Sequence, residues 1–416
     1  MTRRRSFRLP ARGFACGPPF GPGALPLVLL LVVLAGPAQG HDPSAWGGLF
    51  RSRDDGATWM SANRGHYLSG AIALAVSPTD PNHLLLGAES GLFRSHNGGR
   101  DWKIEAPSVV IGSVFAAAFG ADGRRALIST GLGIFRGEND NDWQPVPAPR
   151  GATPARAIVS SGEVGGFYLA GWTGLYRSHD WGVTWSSVAD SFPQEPATAL
   201  LILRGRPETL YAIVQGQLWA SIDSGRSWAR RGNGISPANA DALAEDSRQP
   251  GRLWAAAVDR LFRSDDAGAS WQRVGSPFPK QNTAVHGIDA REEAILLTTD
   301  RGLYRSVDGA VSWTPIIDDL PAHLEAGPLV RDPIDPATLY AGFSLMPYPE
   351  LWRRAANREN ALARVSLTSL AGSVVLLILV TLGALAALRW LGRYYPRSAP
   401  SARTARGVGI GRKTLS

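Results

Sequence analysis

Ser221-Ile-Asp223-Ser-Gly225-Arg-Ser227-Trp228 is the stretch that decides the fold, because the chain writes it repeatedly. Ser52-Arg-Asp54-Asp-Gly56-Ala-Thr58-Trp59, Ser178-His-Asp180-Trp-Gly182-Val-Thr184-Trp185 and Ser264-Asp-Asp266-Ala-Gly268-Ala-Ser270-Trp271 repeat the same Ser-x-Asp-x-Gly-x-Ser/Thr-Trp pattern in full. Three copies are worn. In one, Asn97 stands for the aspartate and Asp101 for the hydroxyl before Trp102; Gly137-Glu-Asn-Asp-Asn-Asp-Trp143 is one residue short; between Asp308 and Trp313, Ala310 replaces glycine. Those three hairpins are expected to be distorted. The seven tryptophans Trp59, Trp102, Trp143, Trp185, Trp228, Trp271 and Trp313 follow one another at steps of 41–43 residues, a period that belongs to repeat architectures. Locally the pattern describes a tight turn: the carboxylate accepts backbone N–H groups, glycine supplies a positive φ, and the hydroxyls add short-range bonds.

An apolar strand precedes each copy, as in Leu92-Phe93-Arg94 and Leu175-Tyr176-Arg177, and two further strand-like segments lie upstream of that. Four short strands per repeat make one blade of a β-propeller, here called a to d from the axis outwards. The fold class is therefore all-β, a seven-bladed propeller over residues 46–344. The pattern begins in mid-blade, since residues 48–59 supply only strands c and d. The missing a and b are expected at 328–331 and 338–342, closing the ring with strands from both ends and leaving no open edge. Leu351-Trp352-Arg353 is an alternative strand c for that last blade.

Ser-x-Asp-x-Gly-x-Thr-Trp resembles the Asp-box, or bacterial neuraminidase (BNR) repeat, and residues 46–344 look like an Asp-box propeller throughout. The Gly-Leu-Phe-Arg-Ser stretch before the box is most similar to the photosystem II stability/assembly factor class. The resemblance implies an assembly or binding protein whose box residues (Asp54, Asn97, Asp180, Asp223, Asp266, Asp308 and the seven tryptophans) are scaffold. Sialidases share the repeat, but the Arg-Ile-Pro motif usual in them occurs nowhere in this chain. Xyloglucanase-like relatives resemble two facing propellers, and this chain carries one.

Charge places the chain rather than its ligand. The total is 43 Lys+Arg against 35 Asp+Glu, a net +8. Residues 1–40 hold five arginines and 389–416 seven bases, with no acid in either; those twelve removed, the body has 31 bases against 35 acids. A mildly acidic body excludes a phosphate-binding face, so no nucleic-acid partner is expected. Arg3, Arg4, Arg5, Arg8 and Arg12 before the short apolar run 24–36 and Ala38-Gln-Gly40 read as a signal peptide, residues 1–40. Residues 366–388 carry no charge over 23 positions, long enough for a transmembrane helix. The linker 345–365 precedes it and the basic tail 389–416 follows, expected in the cytoplasm by the positive-inside rule. The expected location is the cytoplasmic (inner) membrane, single-pass, with the propeller on the extracytoplasmic, periplasmic side. The only cysteine, Cys16, lies in the leader, leaving the mature chain without thiol chemistry.

Positions alike in every blade build the blade, and polar positions that differ are the candidates for function. The b–c and d–a loops share the face opposite the boxes. They present Arg64, His66, Tyr67, Glu89, Trp172, Gln215, Arg230, Arg231, Lys280 and Asp300 as a candidate binding face. Trp172 is the strongest single anchor, suited to stacking on a sugar or a partner peptide. No catalytic, cofactor or metal residue is expected. The reading is a membrane-anchored, non-catalytic protein-binding propeller serving assembly or stability of a membrane complex. Its alternatives are an anchored sialidase-like glycoside hydrolase, with carboxylates such as Glu89 and Asp300, or a glycan-binding module.

Overall fold

The computed structural model describes residues 47–63, 68, 70–203, 208–231, 240–321, 324–356 and 379–390. Seven four-stranded antiparallel sheets follow one another around a ring, a seven-bladed β-propeller. Blade 1 runs from Ala71–Val76 (strand a) through Leu84–Ala88 (b) and Gly91–Ser95 (c) to Lys103–Glu105 (d). Blades 2 to 6 repeat that order, starting at Val114, Ala157, Ala197, Ala240 and Val285. Blade 7 takes strands a and b, Glu325–Arg331 and Leu339–Ser344, from the end of the ring, and c and d, Gly48–Ser52 and Met60–Ser61, from its start. The register across that seam pairs Gly48 with Phe343 and Ser52 with Leu339. Leu351-Trp352-Arg353 is not a strand: it lies in a helix, Tyr348–Ala356, inside the segment read as linker.

The b strands are buried on both faces because blades pack against neighbours on each side; Leu84–Ala88, Phe167–Gly171 and Leu253–Ala257 are buried along their whole length. Each box tryptophan packs into the seam with the preceding blade. Trp102 lies against Leu49 and Tyr340 of blade 7, Trp228 against Tyr168 and Leu175 of blade 3, and Trp271 against Tyr211 and Ile213 of blade 4. The motif thus holds blade to blade as well as strand to strand.

Complete copies share one hydrogen-bond pattern. In blade 4 the Ser221 hydroxyl donates to Asp223 Oδ1 (2.7 Å), Asp223 Oδ1 accepts from Ser227 N (2.9 Å) and Oδ2 from Ser227 Oγ (2.6 Å). Against the expected distortion, two of the worn copies keep the pattern by a local substitute, and the short copy is held from the preceding blade instead. Ala310 adopts φ +72° and its N–H still reaches Ser306 Oγ at 2.9 Å, so Asp308 keeps all its bonds. Asn97 donates its amide to Asp101 Oδ2 (2.9 Å), reversing the usual hydroxyl-to-carboxylate polarity. In the short copy, Trp143 Nε1 and Asn141 N donate to Glu105 Oε2 of the preceding blade, at 2.8 and 2.9 Å. The arginines of strand c are stitches of the same kind: Arg51 donates to Gly98 O and Arg177 to Ser224 O, both in the next blade's box.

Bonds from Ser227, Ser270 and Ser312 hold the carboxyls of Asp223, Asp266 and Asp308 down to about 2. In the unfolded chain the same groups protonate near pH ~4. Their stabilisation is whole above that value and is lost as pH falls from ~4 towards ~2. Urea midpoints should therefore drop across this window, and Asp223→Asn should flatten part of the drop; a flat profile would contradict the box as a stabilising unit.

Within the predicted membrane span 366–388, residues 366–378 lie outside the described residues, as do the predicted signal peptide 1–40 and residues 391–416 of the tail. Residues 379–390 are helical. Among the described residues no helix is long and apolar enough to cross a membrane.

Candidate functional site at the axial mouth

In every blade except blade 3 the pairing of strands a and b slips by one or two residues near the start of strand a. The skipped positions are Ile72, Phe115, Thr198, Asp241 and His286, with Gly327 and Pro328 in blade 7. A bulge turns the extra side chain out of the ladder. Here six of these seven residues, joined by Arg156 of blade 3, line one cavity at the axis, on the face of the b–c and d–a loops. Its volume is about 480 Å³, in the usual range for ligand sites.

Tyr348 to Trp352, the start of the helix Tyr348–Ala356, close one side of this mouth. Tyr348 and Leu351 line the cavity. The Tyr348 hydroxyl donates to Phe115 O (3.2 Å) and Arg156 O (3.3 Å), Trp352 Nε1 donates to Pro154 O (3.0 Å), and the Arg156 guanidinium lies 5.6 and 5.0 Å from the two ring centres. Trp352 stacks on Trp172 at 4.1 Å with 27° between the rings. The face of Trp172 expected to anchor a partner or a sugar is thus covered by the chain itself.

The side built by blades 5 to 7 is acidic and, among the described residues, open. His286 Nδ1 lies 2.9 Å from Ala326 O and 3.4 Å from Glu325 Oε1. Burial pushes the Glu325 carboxyl up, against the pull of His286, and burial likewise raises Asp241. The charge of Asp300 adds to both shifts. Glu325, the more buried of the two, is therefore held where an uncompensated negative charge is disfavoured, while Asp241 keeps an exposed side.

Of the sequence candidates, Asp300 accepts from Ala284 N at 3.0 Å on the cavity rim, and Glu89 Oε1 faces Ser344 Oγ at 3.5 Å. Gln215 occupies the turn beside Gly216, a lining residue, at φ +50°. Lys280 and Arg231 are exposed, and Arg230 sits in strand d of blade 4 (Ala229–Arg230) rather than in a loop. Arg64, His66 and Tyr67 lie outside the described residues. The sequence reading missed Arg156, Asp241, His286 and Glu325. A signal for the first three was present: Ala71-Ile72-Ala73, Val114-Phe115-Ala116, Ala155-Arg156-Ala157, Ala197-Thr198-Ala199, Ala240-Asp241-Ala242 and Val285-His286-Gly287 hold one variable position between small or β-branched apolar neighbours.

No protein-family model and no curated protein matches the chain. Solved structures do. One, described as YCF48 bound to D1 peptide, aligns over 74% of this chain and 99% of its own, at 15% identity and a TM-score of 0.52. The GH74 xyloglucanase from Xanthomonas campestris aligns over 65% of this chain at 19% identity and a TM-score of 0.51. This chain spans about half of that enzyme, 50% of its length. The likeness is one of fold.

Proposed function

We propose that this chain is an Asp-box propeller that binds a protein partner at its axial mouth without catalysis, in the assembly or stabilisation of a membrane complex. It acts from the extracytoplasmic side of the cytoplasmic membrane, delivered by the signal peptide and held by one C-terminal helix. The observation that carries the reading is the mouth itself: a cavity with polar side chains displayed on bulges, one side of which already accommodates a peptide segment through Tyr348 and Trp352. The similar fold of YCF48 bound to D1 peptide supports the same use of a propeller of this size. A photo-cross-linker in place of Lys280, on the mouth face, should capture a defined partner in membranes, whereas one in place of Ile222, on the box face, should not. Capture from Ile222 alone would overturn the assignment. A reporter fused after Ser416 should be active only in the cytoplasm; its export would refute the anchor.

A second reading, glycoside hydrolysis, has one observation in its favour: Asp241 and Glu325 are carboxyls of raised proton affinity on one cavity. Turnover of a fluorogenic glycoside, abolished by Glu325→Gln or Asp241→Asn, would establish it in place of the binding role.

A further inference from the structure

The hydrogen-bond accounting of the cavity specifies what can fill its open side. Thr198 spends its hydroxyl proton on Ile213 O at 3.3 Å, and Ser344 spends its own on Met346 O at 2.9 Å. His286 directs Nδ1 to Ala326 O, which leaves Nε2 as the ring's other polar atom. Glu325 and Asp241, when ionised, only accept. Among the described residues the Asp241 carboxylate makes no hydrogen bond or ion pair, although it opens into the cavity. Among the described lining residues the one arginine, Arg156, lies on blade 3 over the rings of Tyr348 and Trp352. From blade 4 round to blade 7 the described polar side chains of the wall are therefore acceptors and carboxylates apart from the His286 ring.

We propose that the open side of the axial cavity, between Thr198 and Glu325, is a binding pocket for one cationic side chain, a lysine ammonium or an arginine guanidinium, carried by a partner peptide. The proposal rests on the protein-binding reading above and names the chemistry of its ligand. A cation there supplies the donor that the Asp241 carboxylate lacks among the described residues, and it offsets the negative charge that Asp241 and the part-buried Glu325 bring to one cavity. The field of Asp300 at the rim acts in the same direction. A volume of about 480 Å³ holds a long basic side chain together with its flanking backbone.

The test uses the full-length chain in detergent and capped heptapeptides Gly-Gly-Gly-Xaa-Gly-Gly-Gly, with Xaa lysine, arginine, norleucine or glutamate, titrated by saturation-transfer NMR. Lysine and arginine peptides should bind about tenfold more tightly than the norleucine peptide, and the glutamate peptide most weakly. Asp241→Asn and, separately, Glu325→Gln should each remove most of that preference while leaving the melting temperature near that of the parent. Equal binding of lysine and norleucine peptides, or preference for glutamate, overturns the proposal. Spermidine is the arm for a free polyamine: binding of spermidine without binding of the lysine peptide overturns the peptide-borne assignment. The two readings fail separately. Capture from Lys280 that persists in Asp241→Asn at full strength sinks the cation pocket alone, whereas lysine preference with no capture sinks the partner role alone.

Discussion

Replacing Phe343 with alanine is expected to cost about 3–5 kcal/mol, the range for deleting a fully buried phenylalanine, and to loosen the ring at one place. Phe343 is fully buried in strand b of blade 7 and meets Phe50 of strand c edge-on, with ring centres 5.2 Å apart at 81°. These two strands come from opposite ends of the propeller, so their side chains bridge the only blade whose strands are not contiguous in sequence. In the other six blades a lost contact leaves strands joined by a short turn, whereas here opening frees two sheet edges. The Phe50→Ala, Phe343→Ala double variant should fall short of the sum of the singles by about 0.5–1.5 kcal/mol, the coupling of an edge-to-face pair. Leu297→Ala, equally buried within the contiguous blade 6, is the control. Amides of Gly48–Ser52 should exchange with solvent faster in Phe343→Ala than in Leu297→Ala at matched global stability. Equal exchange in the two would show that the seam is no weaker than any other blade.

What could be read beforehand follows the distribution of repetition. The boxes and strands c repeat because every blade needs the same turn and the same packing against its neighbour. The ring, its seven blades and its closure by both ends were therefore legible. The site was only partly so. Trp172 was legible as an odd aromatic in a loop, but its partner Trp352 lies in a helix within a stretch read as linker, and stacking between residues 180 apart leaves no local mark. Asp241 and His286 sit at strand starts rather than in loops, and a bulge moves a strand residue into the role of a loop residue. The worn boxes divide in the same way. Asp101 lies four residues after Asn97 and makes a local substitute, whereas Glu105 serves Trp143 from the previous blade, a compensation that a scan within one copy does not reach.

That compensation sets the second large effect, in which Glu105→Ala is expected to cost about 3–5 kcal/mol, as for breaking a buried ion pair on one side. Both partners are 2% exposed, with Arg94 Nε 3.2 Å from Glu105 Oε1. The other oxygen accepts from Asn141 N and Trp143 Nε1. Alanine leaves a buried guanidinium without its nearest carboxylate and two N–H donors without their acceptor, each of which carries its own desolvation cost. Asp140, 3.5 Å from Arg94 Nε but half exposed, replaces little of the lost interaction. Glu105→Gln keeps an acceptor oxygen for Trp143 and loses only the charge, so its cost should fall between those of the parent and of Glu105→Ala. Pairing Glu105→Ala with Arg94→Met should recover part of the loss, because removing both charges avoids the stranded one. Denaturant midpoints of the parent, Glu105→Ala, Arg94→Met and the double variant form the cycle. If Glu105→Ala and Glu105→Gln both lie within about 0.5 kcal/mol of the parent, the range of an ordinary surface substitution, then Glu105 is not what anchors the short box, and the Trp143 hairpin holds by its apolar packing alone.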